Sequence, residues 1–451
     1  MRKELETLLT GTVGFFWPIS PTGTFDEEPE RGFISRSESG RLDVRTLNEN
    51  PDSALFATSN RQRPRALVCL SPEGSAIILD ITNHGGTANI GGRRASAYTY
   101  SARTAISGFP VEHLDKGKID IRVKRLTAHF PGISAWAGLK VVSFEEERKP
   151  DGHAKSATLR LQSPDEVTAT LGSLTLTIGG HWEAHNNEDR ASIYSPVAIG
   201  VRAKQARDIS DLMKYLVRIQ DLVNVAYDTF VQVDGGSAII GAEPTPDRFP
   251  QFWNDALMLP PPNRGTRKNT SGIPLFTLSD LHGAEGVSRW VRLYEQFPSA
   301  FDAVAMPYRS GRMTAHSYLR ETAVGIERLI AGAKRQGRPK WANAKPQSYA
   351  LANRVGQPFT DFVGDPKEWA DLFWGAYNGG KHQADYEPDP RDLSILATSG
   401  NLLLTAYLLH RCGMSKSALN RLFQHRVSYR LRDRTRELVA NPPAGLRPPK
   451  R

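Results

Sequence analysis

Cysteine is almost missing from this sequence. Only Cys69 and Cys412 occur in 451 residues. They stand too far apart to suggest a disulfide framework or a cysteine zinc site. Both are expected to be small buried apolar residues. Long apolar runs are missing as well. No stretch of about 18 apolar residues is present, so no membrane-spanning helix is expected. The first residues, Met1 to Glu6, carry acids where a secretory leader needs an apolar stretch. The expectation is a cytoplasmic protein with no membrane partner. No internal repeat and no cofactor-binding signature is found, and no cofactor is expected.

What is present is length and positive charge. A chain of 451 residues exceeds one ordinary core, which points to two or three domains. Hydrophobic content of 39% and charged content of 24% are ordinary for a globular protein and exclude wholesale disorder. Net charge is +10. The C-terminal stretch holds Lys416, Arg421, Arg426, Arg430, Arg432, Arg434, Arg436, Arg447, Lys450 and Arg451 against Asp433 and Glu437. A local excess of this kind is what a phosphate backbone uses, and Arg421, Arg426, Arg430 and Arg432 are the candidate RNA contacts. A solvated helix with a Pro-rich tail explains the same pattern.

The texture changes along the chain. From about Thr10 to Val201, short apolar or alternating runs recur between Gly, Pro, Asn and Asp turns. Examples are Ala66 to Leu70, Ala76 to Ile81, Ile119 to Val123, Thr158 to Leu161 and Leu174 to Ile178. This spacing predicts an all-β sandwich or barrel-like sheet. From Asp208 to Phe230 the apolar period becomes helical, through Ile209, Leu212, Met213, Leu216, Ile219, Leu222, Val223 and Ala226. Phe230 to Val233 and Ala238 to Ile240 flank Asp234-Gly235-Gly236 and predict a hairpin. From Ser279 onward helices are expected over Ser279–Phe297, Thr314–Arg335, Pro366–Gln383, Pro390–Cys412, Lys416–Gln424 and Tyr429–Val439. Asp-Pro pairs at 365–366 and 389–390 mark helix starts, and Gly413 marks a stop. The fold class is therefore α+β and multidomain: a β-rich N-terminal region over 1–245 that includes helix 208–230, a Pro/Gly-rich linker over 246–278, an all-α bundle over 279–440, and a basic tail over 441–451.

The densest unusual stretch is Phe373-Trp374-Gly375-Ala376-Tyr377-Asn378-Gly379-Gly380-Lys381-His382-Gln383. Gly375 to Lys381 fits the G-x-x-x-x-G-K pattern of a phosphate-binding loop. However, His382 stands where Ser or Thr would hold Mg²⁺, and a helical run precedes the segment where a strand is required. Asn378 and His382 are four apart, so a helix sets them on one face. An imidazole exchanges protons near neutral pH, a carboxamide holds a phosphate oxygen or a ring tautomer, and Lys381 adds charge. Together they suit metal-free phosphodiester cleavage. A helix end with a surface histidine is the plainer alternative. The two glycines should weaken the helix by about 1 kcal/mol each relative to alanine, which implies a close approach to something. Elsewhere, His181-Trp182-Glu183-Ala184-His185 reads as a loop or strand end rather than a metal site. Trp136, Trp182, Trp253, Trp290 and Trp369 read as core anchors.

This segment resembles the R-N-x-x-x-H core of HEPN domains, helical domains of which many are ribonucleases. Asn378 and His382 match the family's Asn and His, and Tyr377 stands at the Arg position. The run Met313 to Ile330, with Glu327, resembles the acidic helix that precedes the motif helix. The N-terminal half is similar to the ApeA N-terminal region of bacterial anti-phage proteins, through Gly11 to Gly23, Gly85 to Ser107 around Ile90-Gly91-Gly92, and Ile119 to Trp136. The resemblance implies an abortive-infection effector: a sensor region followed by a HEPN endoribonuclease that attacks host RNA, with tRNA a candidate, after a phage-derived trigger. It also implies a homodimer that brings two motif helices to one site. Catalytic roles then fall to His382, Asn378, Lys381 and Tyr377. The missing arginine keeps a second reading open, a non-catalytic RNA-binding or protein-binding HEPN regulator.

Overall fold

The computed structural model describes residues 2–25, 28–48, 64–87, 96–108, 121–186, 191–240, 250–262, 272–337 and 340–447. The elements begin with α1 (Arg2–Leu9), β1 (Thr12–Ile19), β2 (Glu30–Arg36), β3 (Leu42–Asn48), β4 (Ala66–Ser71), β5 (Gly74–Thr87) and β6 (Ser96–Ser107). Next come β7 (Val123–Phe130), α2 (Ser134–Ala137), β8 (Val142–Arg148), β9 (Ala154–Leu161), β10 (Val167–Leu171), β11 (Leu174–Gly180), β12 (Glu183–Asn186) and β13 (Ala191–Tyr194). Then follow β14 (Val197–Arg207), α3 (Ile209–Tyr227), β15 (Gly236–Ile240), β16 (Phe252–Asn254) and α4 (Asp255–Met258). The helical part holds α5 (Ala284–Gln296), α6 (Pro298–Arg309), α7 (Ala315–Gly337), α8 (Gln347–Val355), α9 (Gln357–Val363), α10 (Pro366–His382), α11 (Pro390–Arg411), α12 (Lys416–Gln424) and α13 (Arg426–Ala440).

Residue contacts divide the chain into two compact units that interleave in sequence. One is Met1–Phe130, Ala198–Val217 and Gln232–Leu259; the other is Pro131–Val197, Arg218–Val231 and Pro260–Arg451.

The first unit is built on antiparallel strands in the order β6-β3-β2-β1-β4-β5, and β5 pairs back onto β6. The result is a closed six-stranded barrel, in which β5 and β6 satisfy each other's backbone groups. Strand β1 shows how the sequence makes it: Phe16 and Ile19 are buried, while Val13 and Phe15 point outward. The short β16 adds to β6, with Phe252 opposite Ile106. It lies with α4 inside the Pro- and Gly-rich 246–278 segment.

Two local expectations need correction. The strand expected from Ile119 begins at Val123, with Ile119 and Asp120 outside the described residues. The Ile90-Gly91-Gly92 segment also lies outside them. The hairpin expected across Asp234-Gly235-Gly236 does not form. Strand β15 pairs instead with β7, Ala238 opposite Leu126. Phe230 and Val231 are buried without being a strand. The Asn224 carboxamide oxygen accepts from the Val231 N–H at 2.7 Å, and the Gln220 amide donates to the Val231 carbonyl at 2.7 Å. Helix side chains thus supply the partners that a strand neighbour would have given.

The second unit carries the helical bundle. Helix α11 is its centre: Leu396, Leu403, Leu404 and Leu408 are fully buried. By length and composition it is apolar enough to cross a membrane, but 72% of its apolar window lies inside the fold. A helix apolar on every side belongs in a core. Small residues let its neighbours approach. A Cβ at Gly325 of α7 would stand 2.8 Å from the Ala303 Cβ, and one at Gly400 would stand 2.5 Å from the Phe373 ring. Polar groups fix the register: the Trp369 indole donates to Ser399 Oγ at 2.9 Å, and the Asn401 amide donates to the Ala303 carbonyl at 2.8 Å. The helix expected from Ser279 is a 3₁₀ turn followed by α5, because His282 and Gly283 adopt left-handed backbone between them. Helices α6, α8 and α9 were not expected. Trp136, Trp290 and Trp369 are buried anchors, as is Trp253 in the barrel unit, whereas Trp182 is exposed. Cys69 and Cys412 are buried free thiols, as expected. Burial pushes the Cys69 thiol up to about 12 and raises that of Cys412.

Candidate active site

Helix α10 is fixed at its start by chemistry legible in the sequence. The Asp365 carboxylate accepts from the Lys367 N–H at 2.8 Å and the Glu368 N–H at 3.0 Å, and Pro366 fills the first helical position. One face anchors in the core through Trp369 and Phe373, whose rings stack at 5.3 Å. The helix ends where the Gln383 N–H donates to the Gly379 carbonyl at 2.9 Å. Gly375 to Lys381 is therefore helix throughout, and no loop exists there to wrap a phosphate.

The two glycines have different neighbours. A Cβ at Gly379 would stand 2.9 Å from the Tyr386 ring, whose hydroxyl donates to the Leu446 carbonyl at 2.7 Å. The close approach expected at this position is made by that ring. At Gly380 the nearest atom is His316 Cδ2, at an ordinary 3.8 Å.

At about 100° per residue, Tyr377, Asn378, Lys381 and His382 fall within less than half the helix circumference. Trp369, Phe373 and Ala376, all buried, occupy the other side. Lys381 and His382 are exposed and Asn378 is half-buried. Tyr377 is 7% exposed and marks the border with the core. Its hydroxyl donates to Glu327 Oε2 of α7 at 3.4 Å. The Lys381 ammonium sits 5.6 Å from its ring centroid, and the Trp374 ring lies 5.3 Å away. Burial first, then the Glu327 carboxylate, raises the Tyr377 phenol above its ordinary range, so it remains a neutral donor. The Tyr377 side chain is thus a hydrogen-bond donor held by an acid of α7.

The four candidate RNA arginines lie on α12 and α13 rather than on the motif helix. Arg421 pairs with Asp280. Arg432 pairs with Asp433 at 3.3 Å and covers the Tyr429 ring at 4.4 Å. Arg430 is exposed, and the Arg426 side chain lies outside the described residues. Part of the basic run also has structural work: Arg436 donates to the Asp361 carbonyl and Arg447 pairs with Glu368. Lys450 and Arg451 lie outside the described residues.

At the other histidine pair, His181 and His185 both turn toward Glu183, at 3.2 and 3.9 Å, on β12 and the turn before it. No group of three or more His, Cys, Asp or Glu able to hold a metal occurs among the described residues.

A closed β-barrel unit and a helical bundle make this an α+β protein of two compact parts. A model of ApeA N-terminal domain 1 matches residues 12–290, and one of the Apea-like HEPN domain matches residues 308–418. The first spans more than half of the sequence, so the chain belongs to the ApeA family. It is a defence-associated HEPN protein. No curated protein and no solved structure matches it.

Proposed function

We propose that the outward face of α10 is a metal-independent endoribonuclease site that acts on host RNA once infection is sensed, with tRNA a candidate substrate. The observation that carries this reading is the Asn378–His382 pair, one turn apart on the exposed side of the HEPN motif helix with Lys381 beside it. His382 takes the proton from a ribose 2′-OH. The 2′ oxygen attacks phosphorus, the bond to the 5′ oxygen breaks, and that oxygen leaves with a proton. The products are a 2′,3′-cyclic phosphate and a 5′-OH. Asn378 donates to a phosphate oxygen, and Lys381 offsets the charge that builds on the phosphorane. Tyr377 remains a neutral donor at the border of the site. A homodimer through the HEPN domain would bring two such faces to one phosphate. A phage-derived trigger is the expected signal.

Expression in a bacterial host tests this. The wild-type chain should arrest growth under the inducing signal, and His382→Ala should not, at equal protein levels. Equal toxicity and equal RNA cleavage would remove the assigned role.

The Tyr377–Glu327 contact favours a second reading, because the Arg position is occupied by a neutral residue tied to an acid. In that reading the chain binds RNA without cutting it. Tight binding with a steep salt slope, no products, and cleavage appearing only in Tyr377→Arg would support it.

A further inference from the structure

We infer that Arg320 of α7 supplies the phosphate-binding cation that the motif of α10 lacks. This inference rests on the reading of the α10 face as an RNA site. Positions 316, 320, 323 and 327 of α7 are spaced by four, three and four, so they form one narrow stripe along the helix. Three observations orient that stripe. At its start, His316 Cδ2 stands 3.8 Å from where a Gly380 side chain would begin. At its far end, Glu327 accepts from the Tyr377 hydroxyl at 3.4 Å. Between them Ala323 is fully buried. Arg320 lies on the same stripe, between two residues that both meet the last turns of α10.

The Arg320 side chain is available. It is 68% exposed, and its partner is the adjacent Glu321 at 3.1 Å, itself partly exposed. An exposed ion pair between sequence neighbours is held weakly and can be exchanged for a phosphate. Its positive charge is felt at the Tyr377 hydroxyl. A guanidinium presents a planar fork that fits two phosphate oxygens, which the Lys381 ammonium, a point charge, does not. The site would then be composite: base and carboxamide from α10, forked cation from the opening turns of α7. His316 borders the same turn, at ordinary contact distance from a Cβ at Gly380.

The test compares the full-length wild type with Arg320→Gln, Arg320→Lys, Tyr377→Arg and the Tyr377→Arg/Arg320→Gln pair. The probe is end-labelled single-stranded RNA across a salt series. Because Arg320 is exposed, folding should be retained, and circular dichroism checks it. Arg320→Gln should lower the cleavage rate at saturating RNA on the order of 100-fold, the loss typical of one transition-state donor. Arg320→Lys should fall between, and the double variant should recover most of the loss by returning the cation to the motif. Unchanged cleavage in Arg320→Gln, with an active wild type, overturns the inference and leaves the α10 reading intact. If the wild type binds without cutting, binding becomes the readout. Arg320→Gln must then weaken it and make the salt slope shallower by about one, and an unchanged slope overturns the inference. If the wild type neither binds nor cuts, the α10 reading fails and the inference falls with it.

Discussion

The Tyr377 hydroxyl donates to the Glu327 carboxylate at 3.4 Å, joining the motif helix α10 to α7. An arginine there would be a permanent cation beside the site. A tyrosine is neutral, and its burial and the nearby carboxylate keep it so. Removing the hydroxyl in Tyr377→Phe should cost about 1 kcal/mol of stability, the usual scale of one such hydrogen bond. Urea denaturation of the two forms measures it.

The paired glycines of α10 should respond in opposite ways. Alanine at either gains helix propensity of about 1 kcal/mol. At Gly379 the new methyl meets the Tyr386 ring at 2.9 Å, and overpacking of that kind costs about 1–3 kcal/mol. Gly379→Ala should therefore destabilise the protein and Gly380→Ala should stabilise it. Midpoints of chemical denaturation decide.

Asp221 of α3 is buried and pairs with Arg309 of α6 at 2.7 Å. Burial raises the Asp221 carboxyl above its ordinary range despite the guanidinium beside it. Arg309→Ala leaves that carboxylate buried without its cation and should cost about 3–5 kcal/mol at pH 7. A group whose folded pKa is raised contributes stability at low pH and loses it as pH rises. The deficit of the variant should therefore shrink as pH falls toward the carboxylate range. A deficit that stays constant between pH 7 and pH 5 would contradict this.

Tyr386 carries the same sign at alkaline pH. Burial pushes its phenol up to about 12. Its contribution is present below the ordinary phenol value and is lost as pH rises from about 10 toward 12. Tyr386→Phe should be less stable at neutral pH, having lost the bond to the Leu446 carbonyl. Its stability should also fall less steeply above pH 10. Parallel curves for the two forms would refute the assignment.

Local chemistry was legible in the sequence, and non-local chemistry was not. The starts of α10 and α11 could be read because Asp365 and Asp389 cap the residues that immediately follow them. The Asn378–His382 spacing was readable for the same reason. Helix α6 had no expected counterpart, and it carries two prolines. Pro298 sits at the first helical position, and Pro307 falls in the last turn. The hairpin expected at Asp234 failed because β7, the true partner of β15, lies far upstream. The residue that Gly379 accommodates is only seven positions away, but the folded path of the chain brings its ring back over the helix. Arg320 and His316 carried no signal as site residues, since only the packing of α7 against α10 gives their spacing a meaning.

If the α10 face cuts RNA through the His382 imidazole, the ends of the products carry the signature of that chemistry. Purified wild type and His382→Ala, each incubated with RNA in buffer containing a chelator, should be compared by end-group analysis. The wild type should leave 2′,3′-cyclic phosphate and 5′-OH ends, and the variant none. Equal yields of the same fragments from both proteins would contradict it.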